Sequence, residues 1–169
     1  HRPDTRATIE ALIKKLRDKI PGVAIRSTFI VGYPGETDEE FETLKNFLQE
    51  QRLDKVGVFV YSAEEDTPAF NMPDQIPEEI AQERYHELMS IQSLISQEVN
   101  ESLRGRELEV LIEERDAEVS EVVEGRSYRE APEVDGQIYI ENDNRSKPGD
   151  FVRVRVLDGF VYDLAAEKI

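Results

Sequence analysis

Two short stretches of the sequence carry residue types that could do chemistry. The first is Gly32-Tyr33-Pro34-Gly35-Glu36-Thr37. It follows an apolar run, Val23 to Gly32, and precedes an amphipathic one, so it reads as a strand-to-helix loop. Its glycines would let a ligand approach the backbone, and the helix start would offer free N–H groups to an anion. A tight turn with a helix cap would use the same residues without a ligand, and the spacing is neither a P-loop nor GxGxxG. The second stretch is Tyr61-Ser62 followed by Glu64-Glu65-Asp66-Thr67-Pro68-Ala69. Its consecutive acids could hold a divalent cation or form a solvated loop, and they show no regular ligand spacing. Arg26 stands out because it interrupts the apolar strand. An interior Arg requires an anion, either a substrate carboxylate or a structural acid. His86 sits in a charged stretch and reads as a surface histidine. Arg126 to Gly136 is a long polar connection, either a recognition loop or a plain linker.

Composition narrows the chemistry. The chain has 169 residues, enough for one ordinary domain or two small ones, and a formal net charge of −16. Such acidity repels phosphate backbones and favours a basic partner or simple solubility. Residues 105–169 hold 17 acidic and 9 basic residues, a balance of −8. With no cysteine and two histidines, the chain has no disulfide, thiolate metal site, iron–sulfur ligand or cysteine nucleophile, and a multi-histidine metal site is improbable. The expectation is no metal site and no catalytic residue in this chain. No apolar run reaches the roughly 18 residues of a membrane span and no signal peptide opens the chain. The expected location is cytoplasmic, with no membrane partner.

The elements that must position these residues follow from periodicity. Ile9, Leu12, Ile13, Leu16 and Ile20 form a helical stripe, capped by Asp4 or Thr5 and ended by Pro21-Gly22. Val23 to Gly32 is apolar with little alternation, as in a strand buried on both faces of a parallel sheet. Thr37 and Glu40 form a capping box for a second helix with Phe41, Leu44, Phe47 and Leu48 inward. Val56 to Tyr61 is a second strand, Ser62 to Ile76 a polar loop, and a third helix runs from Pro77 to about Leu103. From Gly105 the pattern becomes five short strands: Leu108–Ile112, Val119–Val123, Gln137–Ile140, Phe151–Val156 and Phe160–Leu164. These predict a small five-stranded antiparallel β-barrel, with the valines of 152–156 inward and the arginines outward. The predicted fold class is therefore α/β plus all-β, with residues 1–103 and 104–169 as domains. Two parallel strands and three helices do not close a domain, so the first half is expected to be the end of something larger.

The residues Arg26-Ser27-Thr28-Phe29-Ile30-Val31-Gly32-Tyr33-Pro34-Gly35-Glu36-Thr37 resemble the fifth-strand signature of the radical S-adenosylmethionine methylthiotransferases. Val56-Gly57-Val58-Phe59-Val60-Tyr61-Ser62, with the acidic loop after it, is similar to their sixth strand and its exit. The stretch from Gly105 resembles the TRAM domain that ends these enzymes. The resemblance implies the C-terminal part of a partial (βα)6 barrel followed by that domain. Gly125 to Gly136 and Tyr162-Asp163-Leu164 resemble the branch that methylthiolates the β-carbon of an aspartate in ribosomal protein S twelve. The alternatives are a tRNA-modifying relative, favoured by a basic stripe on the barrel, and a non-enzymatic acidic adaptor for basic ribosomal proteins. The cofactors implied are S-adenosylmethionine and two [4Fe–4S] clusters. The CxxxCxxC motif of the radical cluster is missing from this chain, so it is expected to be inactive alone. By motif position, Gly32, Tyr33, Pro34, Gly35 and Glu36 would pack near the adenosyl moiety, Tyr61 and Ser62 would face the adenine, and Arg26 would pair with a carboxylate. Tyr33 replaces a common Phe. Asp66 stands where many members have Gly, which puts the backbone there in question.

Overall fold

The computed structural model describes residues 4–115, 122–143 and 145–169. Its contacts divide the chain into two compact units, His1–Ile95 and Ser96–Ile169. The division falls inside one long helix, so that helix contributes residues to both.

In the first unit the order is α1 (Arg6–Lys19), β1 (Arg26–Val31), α2 (Asp38–Gln51), β2 (Lys55–Val60) and the start of α3 (Glu78–Glu101). Thr5 caps α1 and Thr37 caps α2, each with a reciprocal bond from the third helical residue that satisfies otherwise free N–H groups. β1 and β2 pair in parallel, Arg26 opposite Lys55 through Val31 opposite Val60. One face of this pair packs on Ile13 of α1, Phe41, Phe47 and Leu48 of α2, and Leu88 of α3, around buried Val31 and Val58. The loop after β2 contains a 3-10 turn at Pro68–Asn71.

Two expectations are corrected here. β1 is not buried on both faces: Ile30 is 56% and Phe59 is 61% exposed. The three helices supply one cover, and the apolar run needs two. Arg26 is not interior either. The strand begins at Arg26, which is exposed, rather than at Val23.

The second unit is a closed barrel of β3 (Glu107–Arg115), β4 (Val123–Arg126), β5 (Ile138–Glu141), β6 (Phe151–Gly159) and β7 (Leu164–Lys168), ordered β3-β4-β5-β7-β6. Val152, Val154 and Val156 point into a core with Val110, Ile112, Ile138, Ile140 and Leu164, as alternation predicts. The barrel is not wholly antiparallel, because β5 and β7 run parallel. The last strand also lies later than expected: residues 160–163 form a turn closed by Phe160 N–H donating to Asp163 O at 2.9 Å. The expected strand Val119–Val123 falls in part outside the described residues, and β4 starts at Val123.

A buried polar knot secures the connection from β5 to β6. Asp143 Oδ1 accepts from the backbone N–H groups of Arg145 and Ser146, each at 3.0 Å, and its other oxygen pairs with Lys168 at 3.3 Å. Burial would push this carboxyl up, but bonds from Ser146, Arg145 and Lys168 outweigh it and hold it at about 2, against an ordinary 3.8. A depressed carboxyl stabilises the fold above its unfolded value and ceases to do so as pH falls through its folded value. About 2 kcal/mol of barrel stability should therefore vanish between about pH 4 and pH 2. Urea titrations of Asp143→Asn and the parent across that range should converge; a constant gap would refute the assignment.

Candidate functional site

The loop after β1 owes its shape to its residue types. Tyr33-Pro34-Gly35-Glu36 is a β-turn closed by Glu36 N–H donating to Tyr33 O at 2.9 Å. Pro34 fits its second position and Gly35, at φ 85°, its third, as a type II turn requires. Gly35 N–H donates to Asp74 O at 2.9 Å, which ties the turn to the loop after β2. Gly32 itself sits at φ 77°, and a Cβ there would lie 2.5 Å from Ala81 Cβ on α3. Only glycine allows α3 this close.

An ion-pair network around the buried Arg84 then fixes the loop. Glu36 Oε1 accepts from Gly32 N–H at 3.1 Å and from Arg84 at 2.6 Å, while Arg84 also donates to Asp38 at 2.6 Å. Arg84 is buried and its guanidinium lies over the Phe41 ring, 5.3 Å from the centroid. Burial alone would lower its pKa, but the bonds to Asp38 and Glu36 raise it, so the charge is held. Sequence reasoning did not single out Arg84. The signal was available: it stands four residues from both Ile80 and Leu88, on the apolar stripe of a helix.

Beside this loop is an open cleft of about 450 Å³, lined by Gly32, Val60, Tyr61, Ser62, Ala63, Gln75, Ile76, Glu78 and Ala81. It sits at the C-terminal ends of β1 and β2, where α/β folds hold ligands. The Tyr33 and Tyr61 rings meet edge to face, 5.2 Å between centroids. The Tyr61 hydroxyl is buried without a hydrogen-bond partner among the described residues. The structure thus brings together Gly32, Tyr33, Tyr61 and Ser62. Pro34 and Gly35 shape the turn, and Glu36 is engaged by Arg84 rather than facing the cleft alone. Arg26 is separate, at the far end of β1, roughly 16 Å along the strand at about 3.3 Å per residue. Gln75, Ile76 and Ala81 line the cleft unforeseen, because the sequence reads there as polar loop and helix start.

The remaining candidates are quickly placed. His86 is exposed. Ser62 Oγ donates to Glu64 at 2.9 Å, and among the described residues no group of three His, Cys, Asp or Glu could hold a metal ion. Asp66 adopts φ 66°, so it keeps the left-handed backbone that glycine would favour. On the barrel, Arg153 bonds Glu107 at 2.6 Å, Arg155 bonds Glu167 at 3.3 Å, and Arg126 bonds Glu113 at 2.6 Å. Each of these three arginines is paired with a glutamate. Among the described residues no helix is long and apolar enough to cross a membrane.

Comparison with known proteins agrees with this architecture. Residues 105–169 match the TRAM domain family. The chain is 52% identical over 167 residues to a protein of Caldanaerobacter subterraneus subsp. tengcongensis named ribosomal protein uS12 methylthiotransferase RimO, covering 99% of this chain and 37% of that protein. Proteins of the same name from Geotalea uraniireducens and Geobacter sulfurreducens are 46% and 44% identical over 169 residues, covering all of this chain and 38% of each relative. The chain thus spans a little over a third of the length of these curated relatives. It carries a TRAM domain, and its whole length is similar to part of the proteins named RimO.

Proposed function

We propose that this chain is the C-terminal part of a radical S-adenosylmethionine methylthiotransferase that modifies the β-carbon of an aspartate in ribosomal protein uS12. In this reading the first unit is the end of a partial (βα)6 barrel and its cleft receives part of S-adenosylmethionine, while the TRAM barrel docks the protein substrate. The observation that carries it is the meeting of Gly32 and Tyr61-Ser62 in one cleft at the strand ends. The cleft's lining fits an adenosyl group. Val60, Ile76 and Ala81 offer apolar walls, Tyr61 an aromatic ring, and the Tyr61 hydroxyl a buried polar atom without a partner among the described residues.

The chain's own residues would bind and orient. Gly32 lets the β1 loop approach the ligand, Glu36 and Arg84 hold that loop, and Ser62 with its neighbouring backbone faces the adenine. When bound and given one electron by a reductant outside this chain, S-adenosylmethionine would break a C–S bond to leave methionine and the carbon radical that takes hydrogen from the aspartate. The iron–sulfur clusters do not fit this chain, which has no thiolate to ligate iron. A barrel whose arginines pair with glutamates supports a basic protein substrate over tRNA.

The test is S-adenosylmethionine binding by calorimetry on the full-length enzyme. Ala63→Trp, an exposed position lining the cleft, should weaken binding at least about tenfold without lowering the melting temperature. Unchanged affinity would move the cofactor elsewhere.

A further inference from the structure

One end of the barrel carries a surface that the folding of the barrel does not need. The connection from β4 to β5 and the turn before β7 lie side by side there: Gln137 N–H donates to Asp163 Oδ1 at 2.8 Å and Leu164 N–H to Gln137 O at 3.0 Å. Tyr128 and Val134 on the connection, and Phe160 and Tyr162 on the turn, are each more than half exposed. Isolated exposed apolar residues are ordinary, but four on two adjoining segments are not.

The segments that hold them are built rather than loose. Glu130, itself buried, accepts from Ser127 N–H at 3.0 Å and Ser127 Oγ at 2.7 Å. Ala131 N–H donates to Asp135 at 2.7 Å. Across the turn, buried Asn100 donates to Phe160 O at 2.8 Å and buried Ser96 to Val161 O at 2.6 Å. Buried polar groups are thus committed to fixing backbones whose side chains point outward. Rigid aromatic anchors lose little entropy on binding, which is how hot spots concentrate affinity.

Charge selects the occupant. Residues 127–137 and 158–163 contain five carboxylates, Glu133 and Asp158 among them exposed, and one basic residue, the buried Arg129. Aromatic faces beside carboxylates suit arginine and lysine side chains, which can stack and pair at once, and they repel phosphates. We infer that this end of the barrel, centred on Phe160, Tyr162 and Val134, is the face that docks a basic protein segment. The inference rests on the substrate-docking role proposed above for the barrel.

The experiment measures uS12 binding to the full-length enzyme. Phe160→Ala with Tyr162→Ala should raise the dissociation constant at least about tenfold. Glu133→Lys with Asp158→Lys should weaken binding further at low salt than at high salt. Phe151→Ala, more exposed than either but at the opposite end of β6, should change nothing. Affinity lost at Phe151 and kept at Phe160 and Tyr162 overturns the inference alone. So does protection of the Phe160 and Tyr162 rings from hydroxyl-radical footprinting in the full-length enzyme without uS12, which would mean that the enzyme itself covers this face. A parent enzyme that binds tRNA and not uS12 instead overturns the reading on which the inference rests.

Discussion

Replacing Gly32 with alanine is expected to destabilise the first unit by about 3 kcal/mol and to abolish ligand affinity at the cleft. Two costs add. An L-residue at φ 77° is strained by about 1–2 kcal/mol. The new methyl would also stand 2.5 Å from Ala81 Cβ, far inside contact distance, and must push α3 or β1 aside. The two costs are separable. Ala81→Gly opens space for the methyl but leaves φ unchanged, so the double variant should be more stable than the two single losses sum to. Urea denaturation of all four proteins gives the interaction directly, and strict additivity would show that the two helically and strand-held backbones do not press on each other.

The second large effect is expected from Arg84→Met, which should cost about 3 kcal/mol. Methionine fills similar space, so the loss is electrostatic. Glu36 would keep a charge that is largely buried, with Gly32 N–H as its one remaining donor among the described residues. Asp38 is almost fully exposed and would suffer little. The signature is therefore rescue: adding Glu36→Gln to Arg84→Met removes the stranded charge and should restore part of the stability. A double variant less stable than Arg84→Met would indicate that Glu36 holds the loop independently of the arginine.

The local chemistry of the loop was legible because it depends on neighbours in sequence. Proline then glycine specifies the turn, and Thr37 with Glu40 specifies the cap, whatever surrounds them. Arg84 was hidden because its partners Glu36 and Asp38 lie more than forty residues away, and a single charge on an apolar stripe names no partner. Arg26 was misread because Val23 and Ile25 are strand formers that here precede the strand. β7 was missed for the opposite reason. Leu-Ala-Ala-Glu-Lys has poor intrinsic strand preference, and it is extended because β5 and β6 offer an open edge on either side. The apolar run Phe29-Ile30-Val31 reads as a strand with two buried faces because each of its residues is apolar, whereas the described residues cover one face and leave Ile30 exposed.

The position of β7 has a consequence for how the protein is made. It is the last strand in sequence, yet in the ring it stands between β5 and β6. Until Leu164–Lys168 has been translated and has left the exit tunnel, those two strands have no shared neighbour and the ring cannot shut. Ile138, Ile140, Val154 and Val156 would meanwhile face solvent on the nascent chain. The barrel should therefore close in one late step, and its apolar strands stay open to a chaperone until then.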